Sequence, residues 1–293
     1  MSKLGIFMNF WENDWDADHI RYIKKAAEIG FDILEFQAQP LLEMPDEKIT
    51  EIKHVADEYG IELTYSLGLD KKYDIASPDE SVRLGGIKYL TNILKRVALQ
   101  KGTVISGVSY AGWGVPDLAV IDKKQLTENS LCSMRELAKV AKDLGITYAV
   151  EAVNRFEGVV LNTAAEAVAY VEELGCDNVG VLLDTYHMNI EEFNLGDAIR
   201  TAGKHLIGLH TGENNRSVPG RGHLDWDEIF KALADVGFTG RIVSEPFVVS
   251  GGQVGKDIFV WRNLLADVSE AALDAEAKYL LEFEKGMLQK YGI

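Results

Sequence analysis

One pattern recurs from end to end of this 293-residue chain: a short apolar run rich in β-branched and aromatic residues, then a longer run with helical spacing, usually closed by glycine. The apolar runs are Leu4–Phe10, Phe31–Phe36, Ile61–Leu67, Thr103–Tyr110, Ile146–Val153, Val179–Thr185, Leu206–His210 and Arg241–Phe247. Most are apolar at consecutive positions, as strands covered on both faces require. The intervening segments carry helix signals. Ala17–Gly30 places Ile20, Ile23, Ala27 and Ile29 near one face, and Pro45–Gly60 opens on Pro-Asp-Glu; both stop at glycine. Thr163 and Asp225 are suited to cap the runs that follow them. Strand alternating with helix predicts a parallel sheet, and eight such units predict an α/β fold, a (β/α)8 TIM barrel forming a single domain over 1–293. An open doubly wound sheet is the alternative, but the first strand–helix connection lacks the glycine-rich phosphate fingerprint such sheets often carry.

Charge narrows the partners. Thirty Lys and Arg against 46 Asp and Glu give a formal charge of −16. Such a surface repels phosphate backbones and anionic lipid, so neither nucleic acid nor a membrane is expected as a partner. No run of about 18 apolar residues exists to span a bilayer. Cys132 and Cys176 read as free thiols, and the N-terminus reaches charged residues by Glu12, too soon for a signal peptide. The expectation is a soluble cytoplasmic protein.

In a barrel of this kind the chemistry sits where strands run out into their following loops. The fifth strand reaches Glu151, the sixth Asp184, the seventh His210 and the eighth Glu245, at separations of 33, 26 and 35 residues. One ligand-type residue per strand–helix unit allows all four to converge at one barrel mouth. Three carboxylates side by side repel one another unless a cation or a shared proton compensates; lysines or arginines around the mouth are the plainer compensation. Three carboxylates and one imidazole form a hard, oxygen-dominated shell for one divalent ion. That suits Mn²⁺, the leading choice, or Co²⁺ or Mg²⁺, while Zn²⁺ stays admissible.

Glu151-Ala-Val-Asn-Arg-Phe-Glu157, Leu183-Asp-Thr-Tyr-His-Met-Asn-Ile-Glu-Glu192, Gly208-Leu-His-Thr-Gly-Glu213 and Glu245-Pro-Phe247 closely resemble the ketose 3-epimerase family of the xylose isomerase-like barrels. The likeness runs from Phe10-Trp11-Glu12 to Val260-Trp261-Arg262 and is more specific in the second half. It implies one metal per subunit on Glu151, Asp184, His210 and Glu245, a ketose as substrate, and a homodimer or homotetramer. It also implies that Glu151 and Glu245 exchange the C3 proton from opposite faces of the sugar. Glu157, His187 and Arg216 match positions that hydrogen-bond the sugar's oxygens, and Trp15, Trp113 and Phe247 match apolar walls. Phe7 stands where members commonly have tyrosine, and Val108 lies in an atypical fourth-strand exit; both are placed against the substrate. The exit of the third strand, Tyr65-Ser66-Leu67-Gly68-Leu69, is also atypical.

The chemistry is coherent in its own right. The C3 hydrogen of a ketose is α to the C2 carbonyl, so its removal leaves an enediolate that a metal on O2 and O3 stabilises. Inversion needs removal on one face and return on the other, hence one ionised and one protonated carboxyl. Blander roles exist: a core position for His187, a pair with Glu213 or another carboxylate for Arg216, a packing position for Trp113. The rival activities are an aldose–ketose or hydroxypyruvate-type isomerase on the same barrel, a metal-dependent endonuclease, and a non-catalytic sugar-binding protein.

Overall fold

Eight parallel strands follow one another in chain order and close on themselves, β8 pairing with β1, in a computed structural model that describes residues 2–115 and 122–293. The strands are β1 (Lys3–Phe7), β2 (Ile33–Gln37), β3 (Glu62–Ser66), β4 (Val104–Gly107), β5 (Thr147–Ala152), β6 (Val179–Asp184), β7 (Leu206–Thr211) and β8 (Arg241–Ser244). Around them lie α1 (His19–Ile29), α2 (Asp46–Tyr59), α3 (Glu80–Leu99), α4 (Lys123–Asp143), α5 (Ala164–Leu174), α6 (Thr185–Glu191), α7 (Leu195–Ala202), α8 (Trp226–Asp235), α9 (Gly252–Asp257) and α10 (Glu270–Tyr291). This is the closed TIM barrel that the alternating pattern predicts. Among the described residues no helix is long and apolar enough to cross a membrane.

Successive residues of a strand point to opposite faces. Ile6, Leu34, Phe36, Leu183, Leu209 and Ile242 therefore pack outward under the helices, in the main apolar core. The other register faces the barrel interior. Val104, Ala149 and Leu182 form a layer there with Ile207, while Phe7, Ile33 and Val243 belong to a second cluster with Phe247. Such layers fill the barrel, and in this fold the chemistry belongs to the C-terminal ends of the strands.

The helices begin and end largely on local signals. Thr163 Oγ1 accepts from the Glu166 N–H at 3.2 Å, and an Asp225 carboxylate oxygen accepts from the Glu228 N–H at 3.0 Å. Each such cap stabilises its helix by about 1 kcal/mol. Gly30 ends α1 at φ 106° and Gly60 ends α2 at φ 70°, a left-handed region that residues with a Cβ avoid.

Three strands stop three residues short of the ends of their apolar runs. Met8–Phe10 winds into a single 3₁₀ turn, so pairing ends at Phe7. β4 ends at Gly107, which has φ 89° and whose missing Cβ leaves room for the Leu67 carbonyl; a Cβ there would lie 2.6 Å from it. β8 ends at Ser244, two residues before Pro246, which has no N–H to donate. The buried face of α1 is also different from the expected one: His19, Tyr22, Ile23 and Ala26 are buried, with Ile20, Ala27 and Ile29 only partly so.

Candidate functional site

At the C-terminal ends of the strands, Glu151, Asp184, His210 and Glu245 each offer one ligand atom, and these atoms all lie within 4.8 Å of one another. Glu151 and His210 are penultimate in β5 and β7, Asp184 is last in β6, and Glu245 is one residue past β8. Asp184 and His210 are register partners across β6 and β7, which puts them side by side. Glu151, Asp184 and His210 are buried, and the Glu245 side chain is 10% exposed.

The electrostatics call for a compensating charge. Burial pushes the Glu151 carboxyl well above its usual range, opposed by His210 and reinforced by Glu245 and Asp184. Asp184 is raised by burial too. Burial works against a charge on His210, but Glu35 and Glu245 more than offset it and hold its pKa high. Glu151 Oε1 and His210 Nδ1 are buried without a hydrogen-bond partner among the described residues. Glu151 Oε1 and Glu245 Oε2 stand 3.9 and 3.7 Å from His210 Nδ1, too far for hydrogen bonds and about right for atoms sharing an ion. Orphaned donors of this chemistry, converging within 4.8 Å, fit a divalent cation: the cluster could hold a metal ion.

The opposite nitrogen of His210, Nε2, lies 2.9 Å from Glu35 Oε1. Glu35 sits in the middle of β2, is 2% exposed, and accepts from Thr64 Oγ1 at 2.7 Å through its other oxygen. Sequence reasoning missed it. The signal was there, because Ile33-Leu34-Glu35-Phe36 places a lone charge within an apolar strand.

Beside the cluster opens a cavity of about 680 Å³. Trp15, Val108, Trp113, Phe247, Glu157, His187 and Arg216 all reach its wall, together with Glu151 and Glu245. Asp184 and His210 lie deeper. Phe7 is not on the wall: it is 1% exposed and meets the Phe247 ring edge-on at 5.9 Å. Strand alternation turns it inward, where it packs behind Phe247. The wall also includes Gln37 and Gln39 from the β2 exit, neither singled out from the sequence; their Oε1 atoms are buried and unpartnered.

Around His187 the polar groups interlock. Asn154 donates to His187 Nδ1 from its backbone N–H at 3.2 Å, and its side-chain Nδ2 lies 2.8 Å away. The amide is oriented by its own oxygen, which accepts from the Phe156 N–H at 2.9 Å. Nδ1 is therefore an acceptor, and a neutral ring carries its proton on Nε2. That tautomer leaves one donor–donor contact, with Arg216 Nη2 at 3.2 Å, where the other leaves two. Burial lowers the His187 pKa, which keeps the ring neutral.

Arg216 pairs with Glu157, not Glu213, at 3.2 Å from Nη2 to Oε1. Burial raises the Glu157 pKa, but Arg216, with the hydrogen bonds from Asn154 and Trp113, overcomes it and holds the carboxyl ionised. Glu157 also accepts from Trp113 Nε1 at 3.3 Å. The Arg216 guanidinium carbon lies 4.4 Å from the Tyr186 ring centroid and 5.2 Å from that of Phe247, and Arg216 Nε and Nη1 are buried without partners. The residue adopts φ 62°, an uncommon conformation for a side chain of this size. Glu213 instead fastens the loop beneath it, accepting from the Gly220 N–H at 2.8 Å and Trp226 Nε1 at 2.7 Å.

Comparison with known proteins agrees with this geometry. Residues 23–275 match the family described as xylose isomerase-like TIM barrel. The chain is 45% identical to a D-psicose 3-epimerase of Ruminiclostridium cellulolyticum, covering 98% of each chain. It is 42% identical to a D-psicose 3-epimerase of Agrobacterium fabrum, covering 98% of this chain and 99% of that one. A crystal structure of D-psicose 3-epimerase with D-tagatose from Clostridium cellulolyticum H10 superposes with a TM-score of 0.95 at 45% identity, covering 98% of this chain and 99% of that one.

Proposed function

The chain belongs to the ketose 3-epimerases of the xylose isomerase-like TIM-barrel family, and from that membership we propose that it inverts free ketoses at C3 around one bound divalent metal. The observation that carries this reading is a division within the cluster. Glu151 and Glu245 belong to the four ligand candidates and also reach the cavity wall, whereas Asp184 and His210 do not. Two of the cluster's three carboxylates thus face the substrate space, and inversion through a planar intermediate needs an acid/base group on each face.

In one direction an ionised Glu151 takes the C3 proton on one face while a protonated Glu245 returns one on the other; in reverse the roles exchange. Glu151, Asp184, His210 and Glu245 would hold a divalent metal, which would supply Lewis-acid stabilisation for the negative charge that develops on the sugar's oxygens. His187 offers its Nε2–H to a sugar oxygen. Arg216 offers Nε and Nη1, and ionised Glu157 accepts from a hydroxyl. Trp15, Trp113 and Phe247 bank an apolar wall against the sugar's carbon face. Phe7 supports that wall from behind.

The oxygen-rich donor set favours Mn²⁺, then Co²⁺ or Mg²⁺. At the rim, Asp16, Asp70 and Asp257 line the cavity against a single lysine, Lys71, which suits an uncharged ketose such as D-fructose, D-allulose, D-tagatose or D-sorbose over a sugar phosphate. We further propose one domain over the whole chain, a homodimer or homotetramer, and a cytoplasmic setting; calorimetry, sedimentation and fractionation test these in turn. The reaction itself is tested by adding Mn²⁺ to the purified protein in D₂O with each ketose. Deuterium entering C3 with formation of the C3 epimer is the expected result. Formation of an aldose with no deuterium at C3 would replace epimerisation by aldose–ketose isomerisation.

A further inference from the structure

One buried acid lies outside the site and outside the barrel. Glu284 of α10 is 0% exposed, with no cation as partner among the described residues. Its Oε1 accepts from the Thr211 hydroxyl at 2.6 Å and from the Ser244 hydroxyl at 2.9 Å. The two hydroxyl oxygens are 3.1 Å apart, so three side chains share one small network. Glu284 Oε2 has no partner, and burial pushes the carboxyl up to about 7. Placing an acid here costs more than placing a leucine would, unless the network does something that packing cannot.

The positions of its partners say what that is. Thr211 directly follows His210, and Ser244 directly precedes Glu245. Because adjacent strand residues point to opposite faces, His210 and Glu245 turn into the barrel while Thr211 and Ser244 turn out toward α10. Thr211 and Ser244 are register partners across β7 and β8, and the Glu245 N–H donates to the Thr211 carbonyl at 2.8 Å. One oxygen of Glu284 thus ties the two strand ends together from outside, at the level where they carry two of the four ligands inside.

We propose that Glu284 is a positioning residue for the metal centre, holding Thr211 and Ser244 so that His210 Nδ1 and Glu245 Oε2 keep their 3.7 Å separation. This rests on the metal-dependent reading above. Hydrogen bonds to ligand-bearing segments orient ligands as second-sphere contacts do, and their loss weakens metal binding about 10–100-fold. The C-terminal helix then acts on the site through the sheet, without touching substrate or metal.

The test is the Mn²⁺ dissociation constant of the purified full chain, read from the EPR signal of free Mn²⁺, beside the melting temperature of the metal-free protein. Glu284→Leu, which has no acceptor, is expected to bind Mn²⁺ about tenfold more weakly. Glu284→Gln keeps an oxygen for both hydroxyls and is expected to stay within about threefold of wild type. Ser244→Ala removes one donor and is the milder variant should Glu284→Leu not fold; about a threefold loss is expected. Wild-type Mn²⁺ affinity in Glu284→Leu or Ser244→Ala overturns the inference, as does an equal loss in Glu284→Gln and Glu284→Leu. A wild-type chain that binds no Mn²⁺, Co²⁺ or Mg²⁺ is a separate outcome: it overturns the metal reading and this inference with it.

Discussion

His210 presents one nitrogen to the ligand cluster and the other to Glu35, whose Oε1 lies 2.9 Å from Nε2. The Glu35 carboxylate favours a proton on Nε2, so that when Nδ1 gives up its own proton to a bound metal its lone pair faces Glu151 and Glu245. A carboxylate behind a histidine fixes its tautomer and makes it a better donor to a metal. Glu35→Gln places an amide there, and its metal affinity is expected to fall about 10–100-fold. Isothermal titration with Mn²⁺ measures this; an unchanged affinity would show that the Glu35 contact does not tune the ligand.

Metal should also stabilise the fold, because it relieves repulsion among three inward carboxylates. At a free Mn²⁺ concentration 100 times the dissociation constant, binding contributes about 2.7 kcal/mol, which raises the melting temperature by several degrees. A scan with and without EDTA checks it. Overlapping transitions would mean that the folded chain does not bind Mn²⁺ in preference to the unfolded one.

The four cluster residues were legible in the sequence because each is a ligand-type residue ending an apolar run, and the period of the fold places such ends together. Glu35 carries the same mark, but its part depends on which nitrogen of His210 faces it, and spacing does not encode that. Glu284 was not legible. It is one of several glutamates on α10, with Glu270, Glu276 and Glu282, and only packing against β7 and β8 separates it from the solvated ones. Phe7 went the other way: its alternation was readable, its depth was not. Asn154 sits inside the Glu151–Glu157 motif, yet its hold on His187 appears only when the α6 turn folds back over it.

If Glu151 and Glu245 move the proton, Glu151→Gln and Glu245→Gln should each lower turnover about 10²–10⁴-fold. Both are also ligand candidates, so metal content must be measured alongside. The informative readout is C3 deuterium exchange in D₂O from each epimer, with metal at saturation. Each variant is expected to lose the exchange step on one face more severely than on the other. Normal turnover in either metal-loaded variant would remove that residue from the proton-transfer pair.

Gly68 lies against the Trp113 indole, where an added Cβ would stand 3.0 Å from Cδ2. Gly68→Ala must push the indole toward the cavity or away from Glu157, since both residues line the same wall. The metal cluster is untouched. The expected outcome is a KM for ketose raised several-fold with kcat and Mn²⁺ affinity near wild type. A loss confined to kcat would mean that Trp113 takes part in the reacting geometry and not in holding the sugar's far end.

Acid stability gives the last test, and it involves a histidine far from any proposed chemistry. His19 opens α1, is 2% exposed, stacks on Phe36 with ring centroids 3.9 Å apart, and has no partner for either ring nitrogen. Burial lowers its pKa to about 4, partly opposed by Asp18. In the unfolded chain the same ring titrates near its usual 6.5, so between these values the unfolded state binds more protons. Stability from the neutral ring is thus present above 6.5 and is lost as pH falls toward 4, by roughly 2–3 kcal/mol at pH 4.5. His19→Leu removes that dependence. Urea unfolding of metal-free protein at pH 7.5 and 4.5 should show the variant gaining on wild type by about this amount at the lower pH only. An equal difference at both pH values would mean that His19 stays neutral through the window, and that the acid sensitivity of the fold lies with the carboxylates.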